Sequence, residues 1–133
     1  MAHAPPATSA LLIRRAEVMA RKPDTERDNV RVWTMRQTDH SRVNLVEMRG
    51  KLSYHRHPDA EHTLYVLEGR VCAWHGREAV VIEVGDYFSI PAGVPHKYET
   101  LTPTALLLSF DAPAYDPKLT EPVPEVDLAP CPK

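Results

Sequence analysis

The sequence predicts an all-β protein, built as one antiparallel sandwich or barrel. Three observations lead there. Short apolar runs rich in Val, Ile, Tyr and Phe recur between residues 30 and 110. Turn signals separate these runs, and no segment between them is long and periodic enough for a helix. The sequence has no internal repeat, so many short strands at close spacing give one barrel rather than two.

In chain order, residues 1–10 are rich in Ala, Pro and Thr and read as mobile. LLIRRAEVMA (11–20) fits either a short helix or an arm strand, and RKPDTERDN after it reads as a charged loop. The strands then read VRVWTM, VNLVEM, TLYVL, VCAW, AVVIEV, YFSI and ALLLSF. HGRE (75–78), EVGD (83–86) and PAGVP (91–95) carry the residues of tight turns. From Ala112 onward, six prolines in 22 residues give an extended surface tail or a partly disordered one. The expected organisation is a partly flexible N-terminal arm over 1–28, a barrel over 29–111 and a Pro-rich tail over 112–133.

A chain of 133 residues suits one domain that folds without staples. A formal net charge of −2 gives no global signal for nucleic acid. The apolar runs are far too short to cross a bilayer as helices, so no membrane partner is expected. The first residues lack the basic and apolar regions of a signal peptide. Cys72 and Cys131 read as two free thiols in a reducing cytoplasm.

The chemistry-bearing stretch is YHRHPDAEHTLYVLEGR, residues 54–70. In a strand, residues two apart share a face, so His55 and His57 project together. PDA then supplies a turn, and a new strand starts near His62. Glu61 and His62 are neighbours and point to opposite faces, so one of the two joins the pair. Parity leaves the choice open, because Leu64 and Val66 share the His62 face while Tyr65 and Leu67 share the Glu61 face. His96 follows the rigid turn Pro91–Pro95. Each feature has a plainer reading: a His-x-His pair on a strand is often simply exposed. His3 and His40 in loops and His75 in a turn are expected to be solvated.

Two segments resemble the signature motifs of the cupin superfamily. The first runs Gly50, four residues, His55-Arg56-His57, four residues, His62, six residues, Gly69. The second runs Gly85, five residues, Pro91-Ala92-Gly93, two residues, His96, three residues, Thr100. The first motif is one residue short after Gly50, the usual Glu position holds His62, and Thr100 stands in place of Asn. The resemblance implies a single-domain jelly-roll β-barrel with a metal held by His55, His57, His62 and His96. In this alignment Glu61 faces elsewhere or acts beside the site.

Four imidazoles suit a divalent transition metal (Fe, Mn, Ni, Cu or Zn) and disfavour Mg and Ca, which prefer oxygen. Neutral ligands leave the ion's charge uncompensated, so open positions favour anionic oxygen donors. Tyr98 shares the face of His96 and is a candidate proton donor, as is Glu61 if it turns inward. Leu64 and Val66, with Met48, Phe88 and Phe110, are candidate wall residues. The function this implies is a metal-dependent enzyme on a small organic substrate, with dioxygenase-type chemistry first. Isomerase, decarboxylase or lyase action and non-catalytic ligand binding are the alternatives. A homodimer is expected by the same resemblance, with residues 11–20 available for strand exchange.

Overall fold

The computed structural model describes residues 10–114 and 120–132; His3 and most of the segment read as mobile lie outside them. Among the described residues a short helix, α1 (Arg15–Met19), precedes eleven strands. These are β1 (Thr25–Arg27), β2 (Val30–Gln37), β3 (Arg42–Met48), β4 (His55–Arg56), β5 (Glu61–Glu68) and β6 (Arg70–His75). After them come β7 (Glu78–Glu83), β8 (Tyr87–Ile90), β9 (His96–Thr100), β10 (Ala105–Ala112) and β11 (Glu121–Pro122). They form two antiparallel sheets, β1-β2-β3-β10-β5-β8 and β11-β4-β9-β6-β7. This is the expected jelly-roll architecture. The three turn signals fall between β6 and β7, β7 and β8, and β8 and β9.

Strand parity decides what lies between the sheets. Val46 and Met48 of β3, Leu64 and Val66 of β5, and Ala105 and Leu107 of β10 point inward from the six-stranded sheet. Val71 and Ala73 of β6, Ile82 of β7 and Tyr98 of β9 meet them from the other sheet. Each fully buried aliphatic side chain of this kind contributes roughly 1.5–3 kcal/mol. Met48 and Leu64 line the cavity as expected, Val66 and Phe88 pack in the core without lining it, and Phe110 points outward and is 38% exposed. It falls on the other parity from Ser109 and Asp111, which face in.

The β5–β6 connection is a single residue, Gly69. Its φ is +84°, and a Cβ there would sit 2.6 Å from the Thr104 carbonyl oxygen and 2.7 Å from Thr102 Oγ1. Only glycine fits both the left-handed backbone and the close approach.

Residues 11–20 contain a helix, not an arm strand. Val18 of α1 packs with Trp33, Leu45 and Leu106 on the outer face of the chain's own six-stranded sheet. Trp33 Nε1 donates to the Arg21 carbonyl at 2.9 Å, which fixes the helix exit. The segment offered for strand exchange is thus folded back on its own chain. Strand β1 belongs to the sheet although it lies within the segment read as arm. No helix among the described residues is long and apolar enough to cross a membrane.

The expectation of two free thiols is overturned, because Cys72 and Cys131 form a disulfide with Cα atoms 6.1 Å apart. The physical reason is the course of the tail. It first joins the edge of the five-stranded sheet through β11, which pairs with β4, and then crosses the outer face of that sheet. Further along, Ala129 N donates to the Arg77 carbonyl at 2.8 Å, and Trp74 Nε1 donates to the Ala129 carbonyl at 2.8 Å. Lys97 pairs with Glu125 at 2.8 Å and lies over the Trp74 ring. Cys131 is thereby laid against Cys72, which faces outward on β6. The expectation of a reducing compartment loses the support of free thiols.

The bond closes a loop with a sequence separation of 59. Cys131→Ser should therefore lower stability by roughly 2–4 kcal/mol, read as a fall in melting temperature. Dithiothreitol should shift the wild type the same way and leave the variant unchanged. Equal melting temperatures in all four samples would show that the tail is not fastened by this bond.

Candidate metal centre

The centre is built where the two signature segments meet. His55 on β4 stands directly opposite His96 on β9 in antiparallel register. His57, two residues on, returns to the same side. Backbone bonds lock the segments together. Gly93 N donates to the His57 carbonyl at 2.9 Å. Thr100 N donates to the Gly50 carbonyl at 3.0 Å, and Gly50 N donates to Thr100 Oγ1 at 2.7 Å. Thr100, standing where the family pattern has Asn, thus ties the end of the second motif to the start of the first.

The three rings converge. Centroids lie 4.6 Å apart for His55–His96, 4.9 Å for His55–His57 and 5.0 Å for His57–His96. One nitrogen from each of the three lies within 4.8 Å of the other two. Nδ1 of His55 donates to the Ser53 carbonyl at 2.9 Å, and Nδ1 of His96 donates to the Val94 carbonyl at 3.0 Å. A proton committed at Nδ1 leaves Nε2 as a bare lone pair, the state a metal ligand needs. Nε2 of His96 is buried and meets no hydrogen-bond partner among the described residues.

Burial keeps the imidazoles neutral. It pushes His57 down to about 3 and His96 down to about 2, with the nearby His62 and His55 adding to the effect. His55 is lowered chiefly by burial too. Neutral imidazoles, a buried orphan acceptor and an all-nitrogen donor set together fit a transition metal ion.

His62 lies beside this set rather than in it. Its ring centroid is 5.2 Å from those of His57 and His96, and nearly parallel to the latter. Its Nδ1 is hydrogen-bonded to Oδ1 of Asp111, a buried carboxylate on β10, at 2.5 Å. The four-histidine cluster expected from motif spacing is therefore three converging histidines with a fourth alongside. Glu61 is on the opposite face of β5, exposed, accepting a hydrogen bond from Ser89 Oγ at 3.0 Å. It does not line the cavity, and a catalytic role for it finds no support in this geometry. Tyr98 is 2% exposed and lines the cavity, its ring centroid 5.8 Å from that of His96. His75, expected in solvent, is half-buried at the end of β6 against Phe88.

The cavity beside the histidines measures about 190 Å³, roughly six water volumes. Its apolar wall is Val30, Val32, Val46, Met48, Leu52 and Leu64. Its polar wall includes Arg42, Asn44, Ser109 and Asp111, residues that sequence reasoning missed. A signal was present: in RVNLVEM and LLLSFDA, polar residues recur two apart on the same parity as core residues. A network joins them. Thr34 Oγ1 donates to Asn44 Oδ1 at 3.1 Å, and Asn44 Nδ2 donates to Ser109 Oγ at 3.1 Å.

A sequence profile described as the cupin domain matches residues 44–110. No curated protein sequence matches the chain. Among solved structures, KdgF from a Halomonas species superposes with a TM-score of 0.66 at 20% identity, covering 71% of this chain and 90% of that one. Pac13 from Streptomyces, described as a nucleoside dehydratase, gives 0.68 at 16% identity over 74% of this chain and 82% of its own. TT1209 from Thermus thermophilus gives 0.64 at 26% identity over 77% and 97%. At these low identities the first two likenesses show the fold.

The lowered histidines set a pH dependence. In the unfolded chain they take up protons below 6.5, whereas folded His57 resists until about 3 and His96 until about 2. The stability they allow is complete above 6.5 and is lost as pH falls toward those values. The melting temperature of chelator-treated protein should therefore drop between pH 7.5 and 5. His57→Gln should flatten that slope. A slope unchanged by this variant would show that His57 is not held neutral by burial.

Proposed function

Because the chain belongs to the cupin family, we propose that it is a metal-dependent enzyme acting on a small organic substrate that carries oxygen donors. The observation that carries this reading is the convergence of His55, His57 and His96, with donor atoms within 4.8 Å of one another. His62 is the fourth ligand in this proposal, since Asp111 holds its Nδ1 and leaves Nε2 to the site. The ion is Fe, Mn, Ni, Cu or Zn, the metals that imidazole suits. When bound it supplies Lewis acidity and, as iron or copper, a route for electrons to dioxygen.

The chain's own residues supply the rest. Val46, Met48 and Leu64 keep water from one side of the bound substrate. Tyr98 offers its phenol to a substrate oxygen as hydrogen-bond or proton donor. Neutral imidazoles add no negative charge, so the site favours a substrate with anionic oxygen. Dioxygenase-type chemistry is the first reaction class, supported by the apolar wall. A second reading, isomerase, decarboxylase or lyase action, is favoured by Tyr98, whose phenol can move a proton within the cavity. The likeness to a nucleoside dehydratase agrees with that reading. Ligand binding without turnover is the remaining alternative.

Elemental analysis of untagged protein, purified without added metal, should find close to one transition metal ion per chain. His57→Ala and His96→Ala should each weaken metal binding by more than about 10- to 100-fold, the loss that removal of even an outer partner produces. Glu61→Ala should keep its metal. No metal, and none taken up on reconstitution, would leave ligand binding without turnover as the function. Dioxygen uptake by an iron or copper form would select the oxidative class, and conversion under argon would select the second.

A further inference from the structure

Arg42 is the residue the reading above does not use. It opens β3 on the inward parity of Asn44, Val46 and Met48, lines the cavity and is only 7% exposed. Its Nη2 donates to Thr34 Oγ1 at 2.9 Å, while its Nε is buried without a hydrogen-bond partner. The carboxylate that should meet it is turned away. Asp111 stands directly opposite Arg42 across the β3–β10 ladder. Its two oxygens go instead to His62 Nδ1 and, at 3.5 Å, to Asn44 Nδ2. Among the described residues Arg42 makes no ion pair. A guanidinium out of water is costly unless an anion meets it, and its planar fork matches a carboxylate with two parallel bonds.

The cavity's charges narrow the anion. Arg27 also lines it, and its field helps to lower His55. Asp28 and Asp111 line it as well. Two guanidiniums and two carboxylates cancel, so the side chains leave the ion's charge as the net charge of the loaded cavity, which favours an anionic ligand. The volume of about 190 Å³ limits the ligand to a few carbon atoms beyond its charged group.

Building on the metal-enzyme reading of the same site, we propose that the substrate is a small organic acid. Arg42 receives its carboxylate, and its remaining oxygen function, a 2-oxo or 2-hydroxy group, turns toward the histidines. Arg42 is then a specificity-determining residue. It sets which molecules enter, and the centre that the histidines would form acts on them.

The test is an NMR titration of isotope-labelled protein with pyruvate, lactate, their amides and inorganic phosphate. It is run on zinc-loaded and on metal-free protein, with zinc uptake measured separately. The acids should bind at least about 10-fold tighter than the amides, the preference a charge-assisted pair gives, and should shift the Arg42 Nε–H resonance. Arg42→Gln should abolish the preference, and Arg42→Lys, which keeps the charge but not the fork, should retain part of it. Equal binding of acids and amides by the wild type, no binding of the acids, or a preference that survives in Arg42→Gln would overturn the proposal. Phosphate binding tighter than that of the acids would overturn it too. These wild-type comparisons hold even if a variant does not fold. Protein that takes up no zinc yet discriminates in the metal-free form would sink the metal reading and keep this one. Protein that takes up zinc and does not discriminate in either form would sink this one alone.

Discussion

Strand β10 lies between β3 and β5, and its register with both decides what the interior contains. On one side it pairs Ala105 with Met48, Leu107 with Val46, Ser109 with Asn44 and Asp111 with Arg42. On the other it pairs Leu107 with Val66, Ser109 with Leu64 and Asp111 with His62. Apolar meets apolar at one end of the barrel, and polar groups gather at the other. A slip of one residue would bring Phe110 and Leu108 inward and carry Asp111 to solvent. The cavity and the His62–Asp111 pair would be lost together.

That gradient resolves the conflict between a stable core and a reactive site. The dry end, with Leu107, Val66 and Val71 fully buried, supplies the hydrophobic stabilisation. The polar end keeps its buried groups bonded to one another through Thr34, Asn44, Ser109 and Asp111. Low-dielectric surroundings then strengthen what remains open there, Nε2 of His96 and Nε of Arg42.

The tail extends this organisation to the outside of the five-stranded sheet. Its disulfide and the Trp74 and Lys97 contacts fasten it to β6 and β9, while β11 pairs with the strand that carries His55. Thr120 Oγ1 comes within 3.4 Å of His57 Nδ1. A covalent anchor far along the chain and the strand that carries His55 are thus joined through one short segment. Fastening the tail restricts how far β4 can move from β9.

Period-two alternation and turn residues are local properties, so the strands and their turns were legible from the residues themselves, whereas parity left the inward face of β5 open. Motif spacing, through the cupin resemblance, marked His55, His57, His62 and His96, whereas the strand period by itself grouped only His55 with His57. The sequence by itself determined an all-β chain with histidines that share a strand face. It did not determine the Cys72–Cys131 bond, the fold-back of α1 or the inward turn of Arg42 and Asp111. Those depend on which strands become neighbours. The tertiary structure decided them, because pairing across 49 residues between His62 and Asp111, or 59 between the cysteines, follows from register and burial rather than from any local pattern.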